Sequence, residues 1–415
     1  VLITKPGRSS PENLRGAMES CLDSRNFSDR LLGEGQNQTE SGVCSAGGLP
    51  PVTLRAMARY EIRGAQSSDE DAFMQLARYL NTVNLPDSRP HIRKLLAHSE
   101  QSFRGAITDP TKRKYVFVLE DTEQKVAVGT STIVAQLGRR DAPYIFFDVI
   151  DEEKYSRTLD KHFHHTLLRL GFSYAGPTEL GGLVVRPEYR RSPERLGLLI
   201  SYVRFLFIAT HRTLFQDEIL AELLPPLSPD GKSPLWEALG WHFTDMSYAD
   251  ADLFSSENKD FIRDLFPMEP IYASVLSESA QAAIGKVGEQ TRGVESMLRR
   301  IGFKYANRID PFDGGPHFVA NTSEVSLIKA ATRERVGYIL PDAECAVART
   351  LPPGRAEHQA SEARHSLVAR QYADAPFFKA VLADVEPAPD LILPKSVALH
   401  LELQVGDPVM ILPVR

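Results

Sequence analysis

Glu179-Leu180-Gly181-Gly182-Leu183-Val184-Val185-Arg186-Pro187-Glu188-Tyr189-Arg190-Arg191, then Glu194-Arg195-Leu196-Gly197-Leu198-Leu199, then Arg204-Phe205-Leu206-Phe207-Ile208-Ala209, is the stretch that decides the fold. A short apolar strand runs into a basic turn marked by glycine, and the turn opens a helix with an apolar face. A strand edge of this kind offers backbone groups to the amides of a pantetheine arm. A basic turn at a helix start offers N–H groups and guanidinium charge to a pyrophosphate. The order therefore suits an acyl-coenzyme A site. An ordinary strand–turn–helix of an α/β core with surface arginines is the plainer alternative.

Working outward, the elements alternate. Tyr60 to Arg63 reads as a strand, and Ser67-Ser68-Asp69-Glu70 caps a helix to about Tyr79, with acids in its first turn. A second helix covers about Pro90 to Phe103. Tyr115 to Glu120 and Val126 to Val134 form a hairpin around a polar turn. Tyr144 to Ile150, Glu179 to Val185 and Ile219 to Leu224 are further strands, with a helix from about Glu194 to Thr210 between the last two. Ser233 to Leu239 reads as a short helix and Trp241 to Met246 as a strand. Beyond Phe318, short alternating runs at Val325 to Ile328, Arg335 to Ile339, His365 to Val368 and Phe377 to Leu382 predict a β-rich end. The fold class is α/β (α+β): a mixed sheet flanked by helices, with a smaller C-terminal β-rich lobe.

Composition narrows the function classes. The 415 residues suffice for two or three domains, with 42% hydrophobic and 25% charged residues, as in an ordinary globular protein. A net charge of -6 leaves no basic footprint for nucleic acid and no polybasic membrane patch, and no apolar run reaches membrane-spanning length. Three cysteines, Cys21, Cys44 and Cys345, fit a reducing cytoplasm rather than a disulfide framework. His162, His164 and His165 have no second cluster at ligand spacing, so no metal is expected. Residues 1–50 are rich in Ser, Gly, Asn, Gln and Pro. Residues 1–56 are therefore set aside as a disordered tail or an upstream extension before a start at Met57. The remainder divides into an acyl-coenzyme A-binding domain (57–255), a helical, substrate-side segment (256–320) and the β-rich lobe (321–415).

Candidate chemistry lies in charges that interrupt apolar runs. Glu222 sits inside the strand Ile219-Leu220-Ala221-Glu222-Leu223-Leu224, where a carboxylate is costly unless paired or useful. It is either a general base or amine partner, or a buried ion-pair member. Asp310 and Asp313 flank Phe312 before Gly314-Gly315. They either capture a guanidinium or amine or bond the backbone of a tight turn. His242 and His317 read as structural.

Several blocks then carry a resemblance: Ser233-Pro234-Leu235-Trp236, Pro270-Ile271-Tyr272, Ala282-Ala283-Ile284-Gly285, Gly302-Phe303 and Phe312-Asp313-Gly314-Gly315-Pro316. In this order they resemble the arginine N-succinyltransferase family, a branch of the GNAT acyltransferases, over about residues 57–415. The resemblance implies succinyl transfer from succinyl-coenzyme A, a co-substrate rather than a permanent cofactor, to the α-amine of arginine. Another acyl donor, or an amine such as ornithine, is the alternative within the class. It implies pantetheine between Leu183-Val184-Val185 and Ile219 to Leu224, with the backbone of Leu183 in the family's leucine position. The turn residues Arg190, Arg191, Arg195, Leu196, Gly197 and Leu198 would then meet the pyrophosphate. Arg195 stands where the family pattern has its first glycine.

A second departure concerns the proton donor. The family pattern reads Ile-Gly-x-Val-His, and here Ile284-Gly285-Lys286-Val287 is followed by Gly288. Glycine transfers no proton. Either Glu289 or Lys286 substitutes, or Glu222 or Tyr272 handles the proton, or the chain is a silent subunit of an active paralogue. The family also implies a homo-oligomer or a hetero-oligomer with a paralogue.

Overall fold

The computed structural model describes residues 58–79, 85–255, 258–342, 345, 364–385 and 391–414. The segment 1–56 set aside above lies outside the described residues. The strands form one mixed sheet, ordered β14-β11-β15-β12-β13-β1-β2-β3-β6-β7-β10-β9-β4-β5-β8, in which the β11–β14 and β6–β7 pairs are parallel and the others antiparallel. The chain enters through β1 (Tyr60–Gly64), α1 (Glu70–Ala77) and α2 (Arg89–Phe103), then forms the hairpin β2 (Lys114–Asp121) and β3 (Val126–Val134). A second hairpin follows, β4 (Tyr144–Ser156) and β5 (Lys161–Ser173). Next come β6 (Thr178–Val185), α3 (Leu196–Thr210) and β7 (Glu218–Glu222). Short helices α4 (Trp241–Thr244), α5 (Tyr248–Ser255) and α6 (Asp260–Leu265) lead to β8 (Ile271–Tyr272) and to α7 (Glu278–Ala283) and α8 (Arg292–Ile301). β9 (Lys304–Ile309) and β10 (Pro316–Asn321) complete the central strands. β11 (Thr332–Leu340), β12 (Arg364–Gln371), β13 (Phe378–Val385), β14 (Leu391–Pro394) and β15 (Pro408–Pro413) extend the sheet beyond β1.

The apolar face of α3 organises the main core. Leu199, Ile200, Val203, Leu206 and Phe207 pack against Tyr115, Phe117, Ile133, Leu180 and Ala221. A second core on other elements joins Ile145, Phe147, Trp236, Ile309 and Phe312. A third packs Phe73, Leu76, Ile92 and Leu96 against Val116, Val118 and Val184.

Three expectations are corrected. The stretch Trp241 to Met246 is not a strand but holds helix α4 (Trp241–Thr244): Ser233 Oγ accepts from the Trp236 N–H, and the helical run begun there continues until Asp245 turns left-handed at φ 55°. Val325 to Ile328 lies at a short helix, Ser326–Ala330, rather than in a strand. The strand begun at Tyr144 runs on to Ser156 and pairs with β5 along its whole length, so the histidine cluster lies on a strand. There His162 bonds Glu153, Nδ1 to Oε1, at 2.7 Å.

Candidate acyl-transfer site

β6 and β7 are parallel and pair only at their starts, Thr178 with Ile219 and Glu179 with Leu220. Beyond those pairs they part. The cause is a bulge in β6, where pairing with β3 slips between Thr130 opposite Val184 and Thr132 opposite Gly181. Gly182 makes the bulge possible, because it sits at φ 57° and a Cβ there would lie 2.8 Å from Thr132 Oγ1. The gap becomes a cleft of about 160 Å³. Gly181, Gly182 and Leu183 line it from β6, Ala221 and Glu222 from β7, Leu223 and Leu224 from the segment after it, and Thr291, Val294 and Leu298 from α8 and the turn before it.

The cleft has an acidic side. Along β7, Ile219, Ala221 and Leu223 join the α3 core, while Leu220 packs with Tyr144 and Phe146. Alternation therefore turns Glu222 away from α3. Register places His317 of β10 directly opposite Glu222. The His317 ring is fully buried, with Nε2 3.4 Å from Glu222 Oε1. Its other nitrogen, Nδ1, lies 2.9 Å from the Tyr144 hydroxyl. Burial pulls the His317 imidazole down to about 3, so it is neutral. With the tyrosine donating to Nδ1, the ring proton rests on Nε2, a buried nitrogen that lies close to the Glu222 carboxylate but makes no hydrogen bond among the described residues. Burial, and then the charges of Glu179 and Asp310, push the Glu222 carboxyl well above the ordinary carboxylate range.

Asp310 and Asp313 bond the backbone of a tight turn, the second of the two readings offered for them. Asp310 Oδ1 accepts from the Phe312 N–H at 2.6 Å, and Asp313 Oδ1 accepts from the Gly315 N–H at 2.7 Å. Gly314, just after Asp313, takes φ 82°. Both residues nevertheless line the cleft, with Tyr248 and Asp252 of α5. Burial raises both carboxyls, most strongly Asp313, which also feels Asp310. Several carboxyls held this close favour a cationic ligand that would relieve their repulsion.

The remaining expected residues fall elsewhere. Leu183 lines the cleft, whereas the side chains of Val184 and Val185 are buried in two different cores. Arg190, Arg191, Arg195, Leu196, Gly197 and Leu198 lie past the end of β6, where Arg195 turns left-handed at φ 57° and α3 begins. Arg190 Nε donates to the Val185 carbonyl at 2.8 Å and ties the turn to the strand.

Glu289 and Tyr272 are not brought to the site. Glu289 is 85% exposed and faces Arg292 at 3.8 Å. The Tyr272 hydroxyl donates to Glu152 Oε2 and accepts from Lys154, on the strand at the outer edge of the sheet. Sequence reading missed Glu179, Arg204, Tyr248, Asp252 and the approach of His317 to Glu222. Arg204 carried a usable signal, since it is a charge within an apolar run.

The model of the arginine N-succinyltransferase beta subunit family matches residues 60–327. Arginine N-succinyltransferase of Yersinia pestis (strain Pestoides F) is 34% identical over 255 residues, 61% of this chain and 72% of the relative. Arginine N-succinyltransferase subunit beta of Pseudomonas aeruginosa is 36% identical over 270 residues, 64% of this chain and 78% of the relative. The solved arginine/ornithine succinyltransferase subunit AI from Pseudomonas aeruginosa superposes with a TM-score of 0.70 at 28% identity, covering 86% of this chain and 99% of its own. With a family match over most of the described chain and a parallel strand pair splayed as an acyl carrier requires, the chain belongs to the arginine N-succinyltransferase family and is an acyltransferase of the GNAT type.

Proposed function

We propose that this chain transfers the succinyl group of succinyl-coenzyme A to the α-amine of arginine. One observation carries the reading beyond the family match: the splayed strands hold a cleft whose far side gathers Glu222, Asp310 and Asp313. Pantetheine lies along the freed edge of β6, with the backbone of Leu183 beside the thioester. Asp310 and Asp313 hold the cationic end of the acceptor. Glu222 takes a proton from the α-ammonium, and the neutral His317 steadies the carboxylate. The amine nitrogen attacks the thioester carbonyl carbon, the carbon–sulfur bond breaks as the second amine proton leaves, and the departing coenzyme A thiolate takes up that proton. Transfer is direct. The hydroxyl of Thr291 lies within reach of the Leu224 and Gly288 carbonyls, and no cysteine lines the cleft among the described residues.

The family model and the solved relative both bear subunit names, which supports work in an assembly, with copies of itself or with a paralogous chain. No helix among the described residues is long and apolar enough to cross a membrane, and we place the reaction in the cytoplasm, where a succinyl-coenzyme A-dependent step belongs. Thiol release measured with succinyl- and acetyl-coenzyme A against arginine, ornithine and lysine tests the reading. Succinyl-coenzyme A with arginine gives the highest turnover. Absence of release from every pair, with coenzyme A still bound, would sink it.

The turn before α3 gives a separate test of where the cofactor lies. A Cβ at Gly197 would have its nearest neighbour, Val185 Cγ2, 4.0 Å away, so a side chain fits there. Gly197→Ala leaves coenzyme A affinity near the parent value. Gly197→Glu sets a negative charge on the first turn, where phosphate would meet backbone N–H groups, and weakens binding by about tenfold at low salt. Titration calorimetry showing equal affinity for all three proteins would put the pyrophosphate elsewhere.

A further inference from the structure

Arg204 is a buried cation without an anion. It projects from the middle of α3 and is 2% exposed, among Tyr202, Val203, Phe205 and Leu206, all buried. Its Nε donates to the Ser201 carbonyl at 3.2 Å, its Nη2 to Ser201 Oγ at 2.8 Å, and its Nη1 to the Gly181 carbonyl at 3.4 Å. None of these acceptors is charged, and among the described residues no carboxylate pairs with it. Burial pushes the guanidinium down to about 9, with no neighbouring charge opposing the shift. A guanidinium carries five N–H groups. Three contacts leave one N–H on each terminal nitrogen, which suits the two oxygens of a single carboxylate.

Its position says which carboxylate. Arg204 is the one cationic side chain among the described residues that line the cleft, and it stands on the α3 side, beneath the bulge at Gly181. Glu222 points away from α3, and the other carboxyls that raise it gather with it on that side. An anionic group entering the cleft is repelled from that side and drawn to Arg204. We infer that Arg204 binds the free carboxylate of a dicarboxylic acyl group, and so selects a succinyl-type donor over a neutral one. The inference rests on the reading of the cleft as an acyl-coenzyme A site. Succinyl places its carboxylate two methylenes beyond the thioester carbonyl, so a thioester beside Leu183 keeps the carboxylate close to Gly181 and Arg204. The α-carboxylate of the acceptor is the other source of the same chemistry. The acceptor's cationic end, however, belongs with the acids on the opposite side.

The experiment uses two non-transferable thioethers of coenzyme A, one ending in a carboxylate and one in a methyl group, titrated into the parent protein and into Arg204→Met and Arg204→Lys. The parent binds the carboxylate form about 10- to 100-fold more tightly. Arg204→Met loses that preference while holding the methyl form as the parent does. Arg204→Lys keeps part of it, since it retains the charge without the fork. Thermal melting confirms that the variants fold, and should Arg204→Met not fold, the parent and Arg204→Lys decide the matter. Equal binding of the two thioethers by the parent overturns the role of Arg204 and leaves the acyltransferase reading standing. A parent protein that binds neither thioether overturns both. Turnover of arginine against its amide assigns the carboxylate: if Arg204→Met erases a preference for arginine over the amide with either donor, the group belongs to the acceptor and the donor assignment falls.

Discussion

Glu222→Gln lowers kcat with succinyl-coenzyme A and arginine by about 100- to 10,000-fold, the range over which a positioned general base contributes. The amide keeps the shape and loses the ability to accept a proton. The pH profile separates this from misplacement. In the parent, activity rises as pH passes through the elevated value of the Glu222 carboxyl, because only the carboxylate takes the proton. That limb disappears in the variant, and any rise that remains belongs to the substrate amine. Stability supplies a control with a definite sign. A carboxyl raised in the fold contributes stability fully at acid pH, below its unfolded value, and the contribution is lost as pH rises through the raised value. Glutamine has no such loss, so the variant melts no lower than the parent at alkaline pH. Glu289→Gln and Tyr272→Phe, one exposed and the other bonded at the sheet edge, leave kcat nearly unchanged. A profile that keeps its limb in Glu222→Gln, with kcat within a fewfold of the parent, would move the base elsewhere.

Glu222 was legible because a carboxylate inside Ile219 to Leu224 is expensive unless something compensates it, and that cost is visible in the string. The same argument applies to Arg204, which also lines the cleft. Arg204 escaped because an arginine in a long helix is ordinarily a surface residue. Only packing shows α3 to be buried on nearly every side. His317 could not be placed from sequence, because its approach to Glu222 depends on the register between β10 and β7, strands separated by 93 residues of chain. β5 was hidden because its first residues, Lys161 to His164, are exposed and Phe163 is the one apolar side chain among Lys161 to His165, so the apolar alternation that marks a buried strand is missing there. Trp241 to Met246 misled for the opposite reason, since aromatic residues at alternate positions mimic a strand while the Ser233 cap starts a helix upstream. The order of elements around β6 was readable because each boundary carries a turn residue. Which acids meet in the cleft is a matter of long-range pairing.

Gly288→His puts back the residue that the family pattern has at this position, and the expected result is loss rather than gain. The Gly288 N–H donates to the Leu224 carbonyl at 2.9 Å, and Thr291 Oγ1 donates to the same oxygen at 3.0 Å. A Cβ at 288 would stand 2.9 Å from the Pro225 carbonyl oxygen and 3.0 Å from that of Leu224. Both are backbone atoms at the end of β7, two and three residues past Glu222, so no rotamer change relieves them. The imidazole is therefore accommodated only if the segment after β7 moves away from the turn that begins α8. Overpacking against a wall of this kind costs about 1–3 kcal/mol. The movement also draws Leu224 and Thr291, which line the cleft, out of position. Thermal melting should show a fall of a few degrees, and kcat/KM should drop by about tenfold or more. Gly288→Ala isolates the backbone effect, because it carries the same Cβ without the ring, and it should give most of the loss in stability. That outcome agrees with the proposal that Glu222 handles the proton, with His317 opposite it across β7 and β10. A Gly288→His protein that melts like the parent and turns over faster would show that the segment after β7 yields freely, and that the position remains open to a catalytic side chain.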